Sequence, residues 1–221
     1  MKKDYWHPFV EGCIYHIYNR SNNKEPIFLS DENYLFFLRQ WDKYLSPYLE
    51  TYSYALIPNH FHFAARVKQV DKFFQKAVAK EKTVASKAFA AGQISLDVFL
   101  EDQMKRFLSS YAKAFNKQND RNGSVFQKRF KRVVAKTESH VVYLVTYHHH
   151  NPIHHRLTTN YEDWRYTSYR AMLSNAPTKI CREKVLGLFH SSDMAKARQE
   201  FLAYHKAFKY DKRMEYLMLE D

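Results

Sequence analysis

Glycine is scarce in this 221-residue chain, with only Gly12, Gly92, Gly123 and Gly187, each isolated. Four scattered glycines cannot compose a GxGxxG dinucleotide fingerprint or a phosphate loop ending in GK and a hydroxyl residue. That argues against the usual ATP- or NAD-driven enzymes. Cysteine is scarcer still. Cys13 and Cys181 lie far apart and form neither a CxxC pair nor a disulfide framework, so a reducing compartment is expected. No run approaches the roughly 18 uncharged apolar residues of a membrane span, and Met1 to Pro8 carries no apolar signal-peptide core. The expectation is a soluble cytoplasmic protein with no membrane partner.

Positive charge and aromatic rings are abundant. Lys and Arg total 35 against 23 Asp and Glu, a formal charge of +12, and aromatics make up 17% of the residues. Such a balance points to a polyanion, most often nucleic acid. The surplus is concentrated. Residues 105–136 carry ten cations and a single acid, Asp120, with Phe107, Tyr111, Phe115, Phe126 and Phe130 interleaved. Phosphate neutralisation combined with base stacking is how single strands are held; the plain alternative is a solvated face.

Hydrophobic periodicity predicts strands at Cys13–Tyr18, Thr51–Ile57 and His60–Val67, the last two joined by a Pro58-Asn59 turn, with a fourth around Arg132–Ala135. Ser30-Asp31-Glu32 reads as a helix start. Asp102 is a candidate cap for a helix through about Lys117, striped by Met104, Phe107, Leu108, Tyr111 and Phe115. A further helix is expected over Glu138–His149, ended by Asn151-Pro152. Residues 68–100 read as a helical insertion and those beyond 160 as mostly helical. The order fits an α+β fold, a ferredoxin-like antiparallel sheet with helices packed on it, plus a helical C-terminal extension. The expected division is 1–157 for the main domain and 158–221 for the extension.

Three features could carry chemistry. His60 and His62 lie two apart on a strand and therefore share a face, while Phe61 and Phe63 point the other way. Two imidazoles so placed can chelate a divalent ion, although an HxH also arises by chance. Tyr111 sits on the apolar stripe of its helix. It is either a core residue or, if that stripe faces the histidines, a group aimed at a metal. The cluster His148, His149, His150, His154 and His155 reads as a helix C-terminus.

In combination these segments resemble the single-tyrosine HUH transposases, in particular the REP-associated tyrosine transposases of bacteria. Tyr15-His16-Ile17-Tyr18-Asn19-Arg20 with Ile27-Phe28 is similar to the family's first strand and loop, and Tyr54 to Phe63 resembles its HUH motif. Tyr111 to Lys117 looks like its tyrosine helix, and Arg121 to Lys131 like the basic strand that follows. Tyr147-His148-His149-His150-Asn151-Pro152-Ile153 is similar to its Y-x-H-x-N-P-V segment, and Trp164, Ser168 and Tyr169 to a signature beyond it. The likeness spans roughly residues 13–170.

The resemblance implies a DNA transposase that cleaves and rejoins single-stranded DNA at hairpin or palindromic elements. His60 and His62 would hold Mg²⁺ or Mn²⁺, and Tyr111 would form a 5′-phosphotyrosine. The third polar ligand expected one turn beyond the nucleophile has no match at Phe115, which leaves Asn116 as the candidate. Two imidazoles alone favour Mn²⁺ or softer ions over Mg²⁺. For DNA contacts the resemblance points to Arg20, Lys128, Arg129, Lys131 and Arg132. It also implies a bacterial, nucleoid-associated protein acting as a monomer or a homodimer. The competing readings are a domesticated DNA-hairpin-binding protein without strand-transfer activity, and a structural or RNA-binding protein that needs no metal.

Overall fold

The computed structural model describes residues 5–211. Four strands form one antiparallel sheet in the order β2-β3-β1-β4: β1 Ile14–Arg20, β2 Leu49–Ile57, β3 His60–Val67 and β4 Lys131–Ala135. The helices between them are α1 (Asp31–Tyr44), α2 (Lys72–Glu81), α3 (Val84–Ala90) and α4 (Leu96–Gln118). After β4 come α5 (Glu138–His154), α6 (Tyr169–Leu173), α7 (Arg182–Leu186) and α8 (Met194–Ala207). Sheet order and crossovers are those of the expected ferredoxin-like α+β fold, with α2 and α3 supplying the insertion.

Alternation along the strands sorts the side chains into two cores. Tyr15 and Ile17 of β1 join Phe61, Phe63, Ala65 and Val67 of β3 beneath α1 and α4. Aromatic packing fills this side: Trp41 stacks on Phe63 with ring centroids 3.6 Å apart, and Phe37 meets Phe107 at 4.7 Å. On the other side Tyr18, Ala64, Val133 and Ala135 pack under α5, α7 and α8. Here His16, His62 and His148 are buried among the apolar groups.

Local chemistry explains the helix limits. Ser30 caps α1 by accepting from the Asn33 N–H, as expected. α4 begins at Leu96, six residues before the expected Asp102, because the Ser95 side chain already accepts from the Val98 N–H and Asp97 occupies the first turn. α5 runs five residues beyond the expected His149, carrying Pro152 in its last turn. The chain after α5 is less helical than expected. It runs along the outer edge of β2, where the Leu56 N–H donates to the Tyr166 carbonyl (2.9 Å) and the Cys181 N–H to that of Thr51 (2.9 Å). That covers an edge that would otherwise be open to pairing.

Candidate metal centre and nucleic-acid surface

The β3 pleat puts His60 and His62 on one face, as the sequence predicts, and that face looks toward α5; their rings meet edge to face at 5.0 Å. His62 is joined by two histidines from other elements. His16 of β1 places Nε2 2.8 Å from His62 Nδ1, and His148 enters from α5. His16, His62 and His148 each offer a ligand atom within 4.8 Å of the other two, so the group can hold a metal ion. His60 stands beside it, its Nδ1 fixed by the Asn59 Oδ1 at 2.6 Å.

Burial and crowding set the charge state. Removal from water, reinforced by the neighbouring imidazoles, holds His62 well below the usual histidine range. His148 is lowered for the same reasons. Both are therefore neutral at neutral pH, with lone pairs available. His148 is oriented by a 2.8 Å hydrogen bond between its Nδ1 and the Ser53 hydroxyl, which leaves Nε2 as its ligand atom. His148 to His155 do close α5, as read, with His154 in its last turn and His155 as its C-cap; the buried stripe of the same helix also carries His148 onto the sheet.

Tyr111 does not reach this site. It lies on α4 on the aromatic side of the sheet, 1% exposed, with its hydroxyl donated to the Ile27 carbonyl. Its phenol is pushed up, chiefly by burial. The stripe of α4 packs on Phe61 and Phe63 because they form the apolar face, and this puts Tyr111 across the sheet from His60 and His62. Two tyrosines stand on the histidine side: Tyr18 of β1, with its ring centroid 5.9 Å from that of His62, and Tyr147 of α5, at 6.2 Å. Asn151, one turn on, donates Nδ2 to the Tyr147 hydroxyl at 3.0 Å.

Asn116 is likewise remote from the histidines. On α4, it donates Nδ2 to the Gly123 carbonyl at 2.8 Å and ties the helix to the loop before β4. Among the expected DNA contacts, Arg132 is a structural residue. It is 1% exposed, paired with Asp97 (2.7 Å) and Glu101 (3.0 Å), and it lies over Phe9. A buried guanidinium so satisfied cannot turn toward a phosphate without breaking both pairs. Lys128 and Arg129 are exposed; Arg129 lies over Trp6 and reaches Glu101 at 3.4 Å. Lys131 lies over Tyr18, whose ring stacks 4.9 Å from that of His16. Arg20 closes β1 directly opposite His60.

His16 and Tyr147 were present in the sequence without being assigned a role. The alternation Tyr15/Ile17 against His16/Tyr18 already put His16 on the face opposite the apolar one. Val141, Leu144 and His148 follow helical spacing, a signal that His148 shares the packed face of α5.

No family model matches the chain, and no curated protein matches it. Its fold is similar to that in the solved structure of a REP-associated tyrosine transposase bound to a REP hairpin. That likeness has a TM-score of 0.55 at 14% identity, covering 79% of this chain and 88% of the other. No helix among the described residues is long and apolar enough to cross a membrane.

Proposed function

We propose that this protein binds hairpin DNA and cleaves and rejoins an adjoining single strand in a metal-dependent reaction with Tyr147, not Tyr111, as the nucleophile. One observation carries the reading: a tyrosine and a metal-competent histidine group converge on the same face of a transposase-type sheet. That likeness of fold supports the choice of DNA as partner.

The donor set suits a metal. Three buried imidazoles with no carboxylate among them match nitrogen-seeking ions such as Mn²⁺, Co²⁺ or Zn²⁺, and fit oxygen-seeking Mg²⁺ poorly. His62 with His16 and His148 would hold the ion, with His60 alongside. Such an ion, when bound, supplies polarisation of a phosphate oxygen. The chain's own groups do the rest. Asn151 holds the Tyr147 hydroxyl on the histidine side, and Ser53 and Asn59 hold the imidazole orientations. The Tyr147 oxygen forms a bond to phosphorus as the bond to the 3′-oxygen breaks. The phenol proton leaves to solvent and the departing 3′-oxygen takes one up. The phosphotyrosine keeps the phosphodiester's energy, so rejoining needs no nucleotide, consistent with the absent phosphate loop.

A second reading is a hairpin-binding protein that does not cut. Burial favours it: Tyr147 is 2% exposed and His62 1%, so the strand reaches them only after a local opening. Incubation with labelled hairpin oligonucleotides carrying a single-stranded flank, in Mn²⁺, separates the two. The cleavage reading predicts a detergent-resistant protein–DNA band that Tyr147→Phe abolishes. Hairpin binding with no band from the wild-type protein supports the second reading.

A further inference from the structure

The segment richest in surplus charge contributes little to the histidine site, and its lysines gather elsewhere. A groove of about 350 Å³ runs between the outer face of α4 and residues 123–128. Lys105, Lys113 and Lys128 line it together with Ser109, Ser124 and Gln127, and no acidic residue does. All three lysines are exposed, and among the described residues none has a carboxylate partner. Three of the acids nearby are engaged elsewhere: Glu101 and Asp97 by Arg132, and Glu81 by Arg106. Three cations left without counter-charge around one concavity make a phosphate-binding surface.

The groove is built to shape. The Asn116–Gly123 hydrogen bond fastens its two walls, and Gly123 turns the loop at φ +90°, a conformation that favours glycine. Its position is equally specific. The Gln127 N–H donates to the Arg20 carbonyl at 2.9 Å, and Arg20 is the register partner of His60. The loop wall therefore lies at the histidine end of the sheet, about 10 Å from His60 at two strand spacings.

The lining also selects between nucleic-acid forms. Single strands are held by exposed rings on which bases stack. The groove's one aromatic, Phe126, is buried in the core between Phe37 and Phe61. Cations and hydroxyls without a stacking ring contact the backbone alone. We infer that the groove between α4 and residues 123–128 seats the phosphate backbone of a DNA duplex, the stem of the hairpin. This rests on the proposed function for the identity of the partner, and it adds the surface that grips the stem.

The test is the affinity of the full-length protein for a labelled DNA hairpin, read by fluorescence anisotropy across a salt series without added metal. The triple variant Lys105→Gln, Lys113→Gln, Lys128→Gln should bind at least about tenfold more weakly near 0.1 M salt. The slope of log affinity against log salt should shrink by about 2–3, since each lost phosphate contact removes about 0.9. The matched triple Lys72→Gln, Lys76→Gln, Lys80→Gln on α2 removes equal charge and should bind like wild type. Equal losses in the two triples, or no loss in the first, would overturn the groove. An RNA hairpin bound as tightly, with the same dependence on these lysines, would overturn the assignment to DNA. Because binding is read without cleavage, groove-dependent binding with no covalent band in Mn²⁺ removes the cleavage reading and leaves the groove standing. A covalent band together with an indifferent first triple does the reverse.

Discussion

The two faces of β3 differ by a single step along the chain and have opposite chemistry. Phe61 and Phe63 enter an aromatic core in which ring packing supplies the cohesion, and the hydroxyl of Tyr111 within it is held by a carbonyl. His60 and His62 enter a layer where imidazoles, hydroxyls and an amide lie among apolar side chains. The first face converts burial into stability. The second gives up part of that gain to keep neutral nitrogen lone pairs beside a tyrosine. A strand can serve both ends because its side chains alternate.

The contrast can be broken most forcefully from the aromatic side. Phe63→Ala removes the ring stacked on Trp41 and should cost about 3–5 kcal/mol of stability, read as a lower denaturant midpoint at unchanged slope. Metal should act only through the other face. A transition-metal ion at a hundred times its dissociation constant should stabilise the wild type by about 2.7 kcal/mol. His62→Gln should remove that gain, Phe-face variants should keep it, and a chelator should reverse it, all measurable as shifts in thermal midpoint.

Acid should also distinguish the faces. His205 of α8 is lowered to about 3 by burial, and His149 well below its usual range by burial and by His205. They bond to each other at 2.7 Å, and His149 also meets the Ser168 hydroxyl. Histidines with a folded value below the unfolded value of about 6.5 contribute stability that is fully present above that pH. It is lost as pH falls from about 6.5 toward the folded value. Stability should therefore decline below pH 6.5, by about 1.4 kcal/mol per pH unit for each such group. A pH series of denaturant midpoints on wild type and His205→Leu checks this, and the variant should show the shallower decline. A smaller effect is expected from Tyr111→Phe, which leaves the Ile27 carbonyl without its donor and should cost about 1 kcal/mol or slightly more.

Much of the framework was legible because alternation is a strong signal. β3 spans His60–Val67 as read, α1 starts behind Ser30, and the strand and helix order announces the fold. The site was legible only in part. The stripe of α4 identifies a packed helix face, but a stripe cannot say which side of a sheet it covers; the answer lies in the phenylalanines of β3, which claimed α4 and Tyr111 with it. Asn116 and Arg132 failed for a related reason. Their residue types suit a ligand and a phosphate contact, but local partners took them: the Gly123 carbonyl for one, Asp97 and Glu101 for the other. His16 and His148 come from elements far apart in sequence, and their meeting with His62 depends on the sheet order β2-β3-β1-β4 and the path of α5.

The most direct measurement compares the two tyrosines in one assay: the detergent-resistant adduct formed on a hairpin oligonucleotide with a single-stranded flank in Mn²⁺, for wild type, Tyr147→Phe and Tyr111→Phe. The account predicts an adduct for wild type and Tyr111→Phe and none for Tyr147→Phe, with all three proteins folded. An adduct that survives Tyr147→Phe and disappears in a folded Tyr111→Phe would contradict it, because the nucleophile would then come from the aromatic face.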